Sequence, residues 1–209
     1  LSDWSSDVCS SDLQQINSPA LYARNAFIAS FNVAGNLIWS RNLSLSFPGI
    51  EEPPIGAVNK NGQFHYVQTE FLQGGSVVAL GINGLDSVTL ILPPAISFVS
   101  DVAFDSSGAA YLAGSVGQMT FTIGGLNVNA PDPYNRFLAK FEPNGACRWL
   151  RTIRDVTFQT SRLSIDDSAN IYFVSPLFDS LTVDGYFLAG PQWVYDFMLV
   201  QFDSSGIVR

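Results

Sequence analysis

The side chains on which chemistry could be built are few. His65 is the only histidine in the chain, so neither a Ser/His/Asp relay nor a histidine-based metal centre can be assembled from it. Asp166 and Asp167 form an acidic pair in a turn-like stretch. Paired carboxylates bind calcium or share a proton, but Asp166 falls where other repeats of the chain carry Asn59 and Asp105, which favours a turn-capping role. Cys147 lies between Gly145 and Trp149 in a strand-like run, where a buried small hydrophobe is the ordinary reading and a reactive thiol the sharper one. "IGGLNV" (123–128) is glycine-rich but is not followed by the helix that a phosphate loop requires. Asn42-Leu43-Ser44 matches a glycosylation sequon. Tyr134, Trp193 and Tyr195 gather before the third strand of two units. Such aromatics stack on sugars or peptides when exposed, and pack between units when not. No residue is assigned to catalysis, to a cofactor or to a metal.

Composition narrows the classes further. With 18 acidic and 10 basic residues the net charge is −8, and no basic patch suggests a nucleic-acid partner. No apolar run approaches the roughly 20 residues of a membrane span. Charged residues are 13% of the chain, about half the usual share, while 17 glycines and 16 phenylalanines suit a β-rich protein. Low charge with many Ser, Thr and Asn leans towards an extracellular or cell-surface location.

The elements that must position these residues recur along the chain. One signature is strand, tight turn, strand: "AVNKNGQFHYVQTE" (57–70), "VAFDSSGAAYLAGS" (102–115) and "LSIDDSANIYFVSP" (163–176). It aligns Gly62, Gly108 and Ala169 at spacings of 46 and 61 residues, and puts His65 with Tyr111 and Tyr172 as a strand residue. The other is "NAFIASFNVAGNLIWSRNL" (25–43), "NRFLAKFEPNGACRWLRTI" (135–153) and "YDFMLVQFDSSGIVR" (195–209), with a weaker copy at 76–92. Here Gly35, Gly84, Gly145 and Gly206 align at spacings of 49, 61 and 61 residues. Two motifs with one period mark a repeat architecture.

Local chemistry explains each piece. In "VAFDSSGAAYLAGS" the Asp105 carboxylate can fold back onto backbone N–H groups, and Gly108 can take the positive φ that closes a hairpin. Phe137, Ala139 and Phe141 share one strand face, with Leu138 and Lys140 on the other. "FTIGGLNV" (121–128) and "LTVDGYFL" (181–188) supply a further hairpin per unit, and helical periodicity is almost absent. About four short antiparallel strands per unit, repeated every 40–60 residues, predict an all-β protein of propeller blades.

The first signature followed by "RFLAKFEPNGACRW" resembles the bacterial seven-bladed β-propeller repeat family, found mostly in secreted and surface proteins. The resemblance covers nearly all of 25–209 and is best over 100–153; Val88 stands where a tryptophan belongs, and Ala169 replaces a turn glycine. A second resemblance is to quinoprotein propellers, whose blades carry Ala, Gly and Trp spaced as Ala29, Gly35 and Trp39, and as Ala139, Gly145 and Trp149, are here. It implies a blade-docking role for these residues and brings no quinone site with it. Asp105, Gly108, Asp166, Gly35, Trp39, Gly145, Trp149 and Gly206 are thus expected to be structural, in turns and blade docking.

The N-terminus stands apart. "DWSSDVCSSDL" (3–13) has no apolar stretch for a signal peptide and no glycine for a calcium loop. It resembles one reading frame of the end of a short-read sequencing adapter, which implies that residues 1–13 are not native. Setting them aside takes three of the 18 acidic residues and none of the 10 basic ones, moving the net charge from −8 to −5. Cys147 is then the single cysteine, so no intrachain disulfide remains. The expected organisation is a partial propeller over 14–209: a blade remnant at 14–46, an inter-blade crossing at 47–56, and blades at about 55–95, 100–155 and 160–209, the last cut short. The function expected is a non-catalytic scaffold or binding module for a protein or glycan, completed by remaining blades of the same chain. The alternative is the propeller portion of an extracellular polysaccharide lyase or quinoprotein-like oxidoreductase, with its catalytic residues in other blades.

Overall fold

The computed structural model describes residues 26–43, 55–70, 74–80, 85–154, 161–190 and 195–209. Strands account for all regular structure among them, and every pairing is antiparallel. The N-terminal segment (1–13), the crossing at 47–54 and Trp193 lie outside the described residues. The chain divides into two compact units, Leu1–Pro53 and Pro54–Arg209.

The first unit contains one hairpin, β1 (Ala26–Phe31) with β2 (Leu37–Leu43). The second begins with a four-stranded sheet whose spatial order follows the chain: β3 (Gly56–Val58), β4 (Phe64–Glu70), β5 (Gly74–Leu80) and β6 (Asp86–Leu92). A second four-stranded sheet repeats that order with β7 (Ile96–Phe104), β8 (Ala110–Ile123), β9 (Leu126–Phe141) and β10 (Cys147–Arg154). A third has β11 (Arg162–Ile165) and β12 (Ile171–Phe178); a separate hairpin of β13 (Ser180–Val183) and β14 (Tyr186–Ala189) intervenes before β15 (Tyr195–Phe202) pairs with β12. Beyond the last turn, Val208 bridges back to Phe202.

The additional hairpin foreseen for every unit takes two forms. In the second sheet it is the far end of β8 and β9, which run for 14 and 16 residues across a register shift at Gly117/Met119. In the third it is the detached β13–β14 pair, and the first sheet has four strands alone. The shift explains the long strands: three residues of β9 (131–133) stand opposite Gln118 alone, a bulge that bends the pair locally without ending it.

Six turns share one backbone. Residue X at the end of a strand (Asn32, Asn59, Asp105, Glu142, Asp166, Asp203) accepts from the N–H of X+3, and its own N–H donates to the carbonyl of X+4. This is the three-residue hairpin loop with a bulge residue in the left-handed region. Gly35, Gly62, Gly108, Gly145 and Gly206 fill that place with φ of 75° to 88°, and Ala169 does so with φ 61°. A Cβ in that region costs roughly 1–2 kcal/mol, of which glycine's freer unfolded chain takes back about 0.4–1 kcal/mol. Ala169→Gly is therefore expected to stabilise the protein by about 0.5–1 kcal/mol, read as a rise in urea midpoint at unchanged slope. A fall in the midpoint would refute this account of the turn.

The second sheet is apolar on both faces, which is why its sequence reads as near-continuous hydrophobic runs. Phe137, Ala139, Phe141 and Leu112 pack against Val67, Val77, Leu90 and Leu92 of the first sheet. Tyr111, Ala113, Leu138 and Trp149, on the opposite face, pack against Phe173, Met198, Val200 and Phe202 of the third. The first strands of the three sheets are neighbours as well: β7 lies against β3 and against β11.

Candidate functional site

The turn caps come first, because the sequence puts its acidic side chains there. Asp105 Oδ1 accepts from the Ser107 N–H (2.8 Å), the Ala109 N–H (3.1 Å) and the Ser107 hydroxyl (2.5 Å). Its Oδ2 accepts from the Tyr111 hydroxyl at 3.0 Å and pairs with Lys140 Nζ at 3.4 Å. Burial pushes this carboxyl up, but the bonds from Ser107, Tyr111 and Ala109 outweigh burial and hold it below the usual range. Burial and the Asp105 carboxylate together raise Tyr111 far above an ordinary phenol. Asp166 repeats the arrangement with Ser168, Asn170 and Tyr172, and its carboxyl is lowered chiefly by the Asn170 side chain. Asp203 repeats it with Ser205 and Ile207 and is held at about 2, the Ser205 hydroxyl contributing most.

Asn59 occupies the same place with an amide. Its Oδ1 accepts from the Asn61 and Gln63 N–H groups, which leaves Nδ2 to donate to His65 Nε2 at 3.1 Å. Nε2 must then be the bare nitrogen, so His65 is neutral with its proton on Nδ1. Burial lowers its pKa in the same direction, and its ring lies 4.5 Å from that of Phe104. His65 is thus the amide-compatible counterpart of Tyr111 and Tyr172. Cys147 is buried, its thiol donating to the Trp149 carbonyl at 3.5 Å and pushed up to about 11 by burial, which leaves little thiolate for nucleophilic work.

A second set of contacts joins the second sheet to the third. Trp149 Nε1 donates to the Ser204 carbonyl (3.1 Å) and Arg151 Nε to the Gly206 carbonyl (2.9 Å), so β10 grips the turn after β15. Gly206 is demanded there: a Cβ would fall 2.7 Å from the Trp149 ring. Arg136 is fully buried and donates from Nη1 to the Pro176 carbonyl at 3.0 Å. Arg162 donates to the Ser100 carbonyl, and the Leu163 N–H donates to Asp101 Oδ2 at 2.9 Å. Stacked sheets share no ladder of backbone bonds, so side chains supply the cross-links, mostly guanidinium and indole donors reaching carbonyls.

Of the residues singled out from sequence, the structure brings Trp149 and Gly206 into contact. Gly145 lies near Thr89 and Leu90 of the first sheet, about 4 Å from where its Cβ would be, in the strand where Val88 replaces tryptophan. Gly35 has open space around it, a Cβ on Gly108 would meet the Pro143 ring at 3.9 Å, and Trp39 is half-buried on β2, opposite Ser30. Tyr134 is 47% exposed on β9, opposite Gly117. Tyr195 begins β15, with its side chain outside the described residues. Asp101, Arg136, Arg151 and Arg162 were not foreseen. Three of them occupy repeat positions held by other residue types: Arg136 aligns with Ala26 and Phe197, and Arg162 with Asp101. The available signal was a charge, Arg136, directly before the apolar Phe137-Leu138-Ala139.

No family model and no curated protein matches the chain. Its reading therefore rests on its own geometry.

Proposed function

We propose that the chain is part of a bacterial β-propeller, each four-stranded sheet a blade. On this reading it is a non-catalytic repeat scaffold of a secreted or cell-surface protein that presents its loops to a protein or glycan. The observation carrying this reading is the seam in which Trp149 and Arg151 of one sheet hold the turn of the next. Its acidic turn residues support the same reading, because Asp105, Asp166 and Asp203 spend their oxygens on their own turns. A base or nucleophile needs free lone pairs at its reaction site.

Of the three aromatics singled out from the sequence, Tyr134 has the described side chain, 47% exposed, and it is the one to test. Titrating the purified chain with neutral and acidic oligosaccharides is expected to quench its intrinsic fluorescence, and Tyr134→Ala to weaken the affinity by about tenfold, the usual worth of one stacked ring. Quenching that Tyr134→Ala leaves intact removes this residue from the site. Release of unsaturated or oxidised sugar by the unmodified chain overturns the non-catalytic reading.

A further inference from the structure

We infer that the far end of the β8–β9 pair binds a neutral, linear glycan along an uncharged strip of Thr, Asn and Gln side chains that leads away from Tyr134. The inference rests on the reading of the chain as a scaffold that presents a surface to a protein or glycan, and it names the class of glycan.

Alternation along β9 puts the strip on one face. Val128 and Ala130 are buried in the core shared with the first sheet, so Asn127 and Asn129 point to the opposite side. Across the 131–133 bulge, Arg136 and Leu138 point to that same side, because Leu138 packs with the third sheet and Arg136 reaches the Pro176 carbonyl. Tyr134, two residues before Arg136, shares their face. On β8 the partners are Thr122 for Asn127, Thr120 for Asn129 and Gly117 for Tyr134, so the two Thr–Asn rungs lie about 7 Å apart. Both rungs, Gln118 and Tyr134 are exposed. The third sheet packs on this side against Leu138 and leaves them uncovered.

The hydrogen bonds within the strip decide what it offers. The Thr120 hydroxyl donates to Asn129 Oδ1 at 3.3 Å, and the Thr122 hydroxyl to Asn127 Oδ1 at 2.8 Å. Each bond spends the hydroxyl proton and one amide lone pair. Each rung keeps two hydrogens on Nδ2 and an acceptor position on the threonine oxygen. Gln118 is the reverse case: Nε2 donates to the Pro131 carbonyl at 2.8 Å, and Oε1 stays available to accept. A sugar hydroxyl both donates and accepts, so neighbouring hydroxyls match a rung that does both. The internal bonds also hold the amides in one orientation beforehand, which lowers the ordering cost of binding.

Charge selects among polymers. None of these side chains is ionised, and Asp132 in the bulge is met by Arg154 at 3.9 Å. The net charge of −8 opposes an acidic polymer. A protein interface has an apolar core, and Tyr134 is the one ring here. Nor does the hairpin need the ladder to form. In β13–β14 the rung aligned with Thr122–Asn127 is Thr182–Phe187, and that pair closes as well.

Titration calorimetry of the full chain with cellohexaose, xylohexaose and hexagalacturonate tests this. A neutral oligomer is expected to bind and the acidic one not to, with the Asn127 and Asn129 side-chain amide resonances shifting on saturation. Asn129→Asp keeps an oxygen for Thr120 and replaces the outward NH2 by a second oxygen, and Asn127→Asp does the same beside Thr122. Each is expected to weaken the affinity about fivefold, the worth of one or two neutral hydrogen bonds, at an unchanged urea midpoint. Failure of both neutral oligomers, preference for hexagalacturonate, or Asp variants that bind as the wild type does overturns the inference. If the neutral oligomers bind and Tyr134→Ala alone weakens them, the scaffold reading stands without the strip. Cleaved or oxidised oligomer in the titration cell overturns the scaffold reading itself.

Discussion

Replacing Trp149 by alanine is expected to cost about 3–5 kcal/mol, the range for removing a large buried aromatic. The side chain is 7% exposed, packs edge-on to Tyr111 at 6.1 Å between ring centroids, and donates to the Ser204 carbonyl. Deletion opens a cavity between two sheets and leaves the 203–206 turn held by Arg151 alone of its two anchors. Trp149→Phe keeps most of the apolar contact and loses the indole N–H, so a smaller loss, about 1–2 kcal/mol, is expected from an unfilled carbonyl and residual space. Urea titration followed by circular dichroism gives both values. Native-state hydrogen exchange adds the location: the Arg209 N–H, bonded to the Gln201 carbonyl beyond the turn, should exchange faster in Trp149→Ala than the amides of β8. A loss below about 1 kcal/mol, or uniform acceleration, would mean that the stack does not hang on this residue.

The contrast between Trp149 and Arg136 shows what the sequence made legible. Trp149, Gly145 and Gly206 recur at fixed intervals, and a recurring residue can be recognised before its contact is known. The turn logic was equally open, since a strand-ending Asp or Asn with a Gly three residues later marks four of the six loops, Glu142 and Ala169 being the exceptions. Arg136, Arg162 and Asp101 bind neighbouring sheets through backbone carbonyls and an N–H. A carbonyl acceptor has no side-chain signature, so nothing in the partner segment announces the bond. Exposure was similarly hidden. Leu138 and Leu199 are the same residue at the same repeat position, yet Leu138 is buried against the third sheet and Leu199 is 65% exposed.

Asp105→Ala is expected to cost about 3–4 kcal/mol. Both carboxylate oxygens vanish from a buried turn, leaving the Ala109 N–H and the Tyr111 hydroxyl without their acceptor, at about 1–3 kcal/mol each. Asp105→Asn is more informative. The amide keeps an oxygen for the turn but sets an NH2 group against the Tyr111 hydroxyl and Lys140, so a loss of about 1–2 kcal/mol is expected. The first sheet already contains the remedy, since Asn59 faces His65 where Asp105 faces Tyr111. Tyr111→His in the Asp105→Asn background should therefore cost less than it does alone, with a coupling of about 1 kcal/mol in a double-mutant cycle. Acid provides an independent readout. The Asp105 pKa is lowered in the folded protein, so its contribution is present above the unfolded carboxylate value and is lost as pH falls through the lowered folded one. Asp105→Asn removes that term and should flatten the fall in stability below about pH 4, while Asp166 and Asp203, lowered for the same reason, keep part of the slope. An acid limb identical to that of the wild type would show that the Asp105 charge contributes nothing, and that the turn needs only an oxygen.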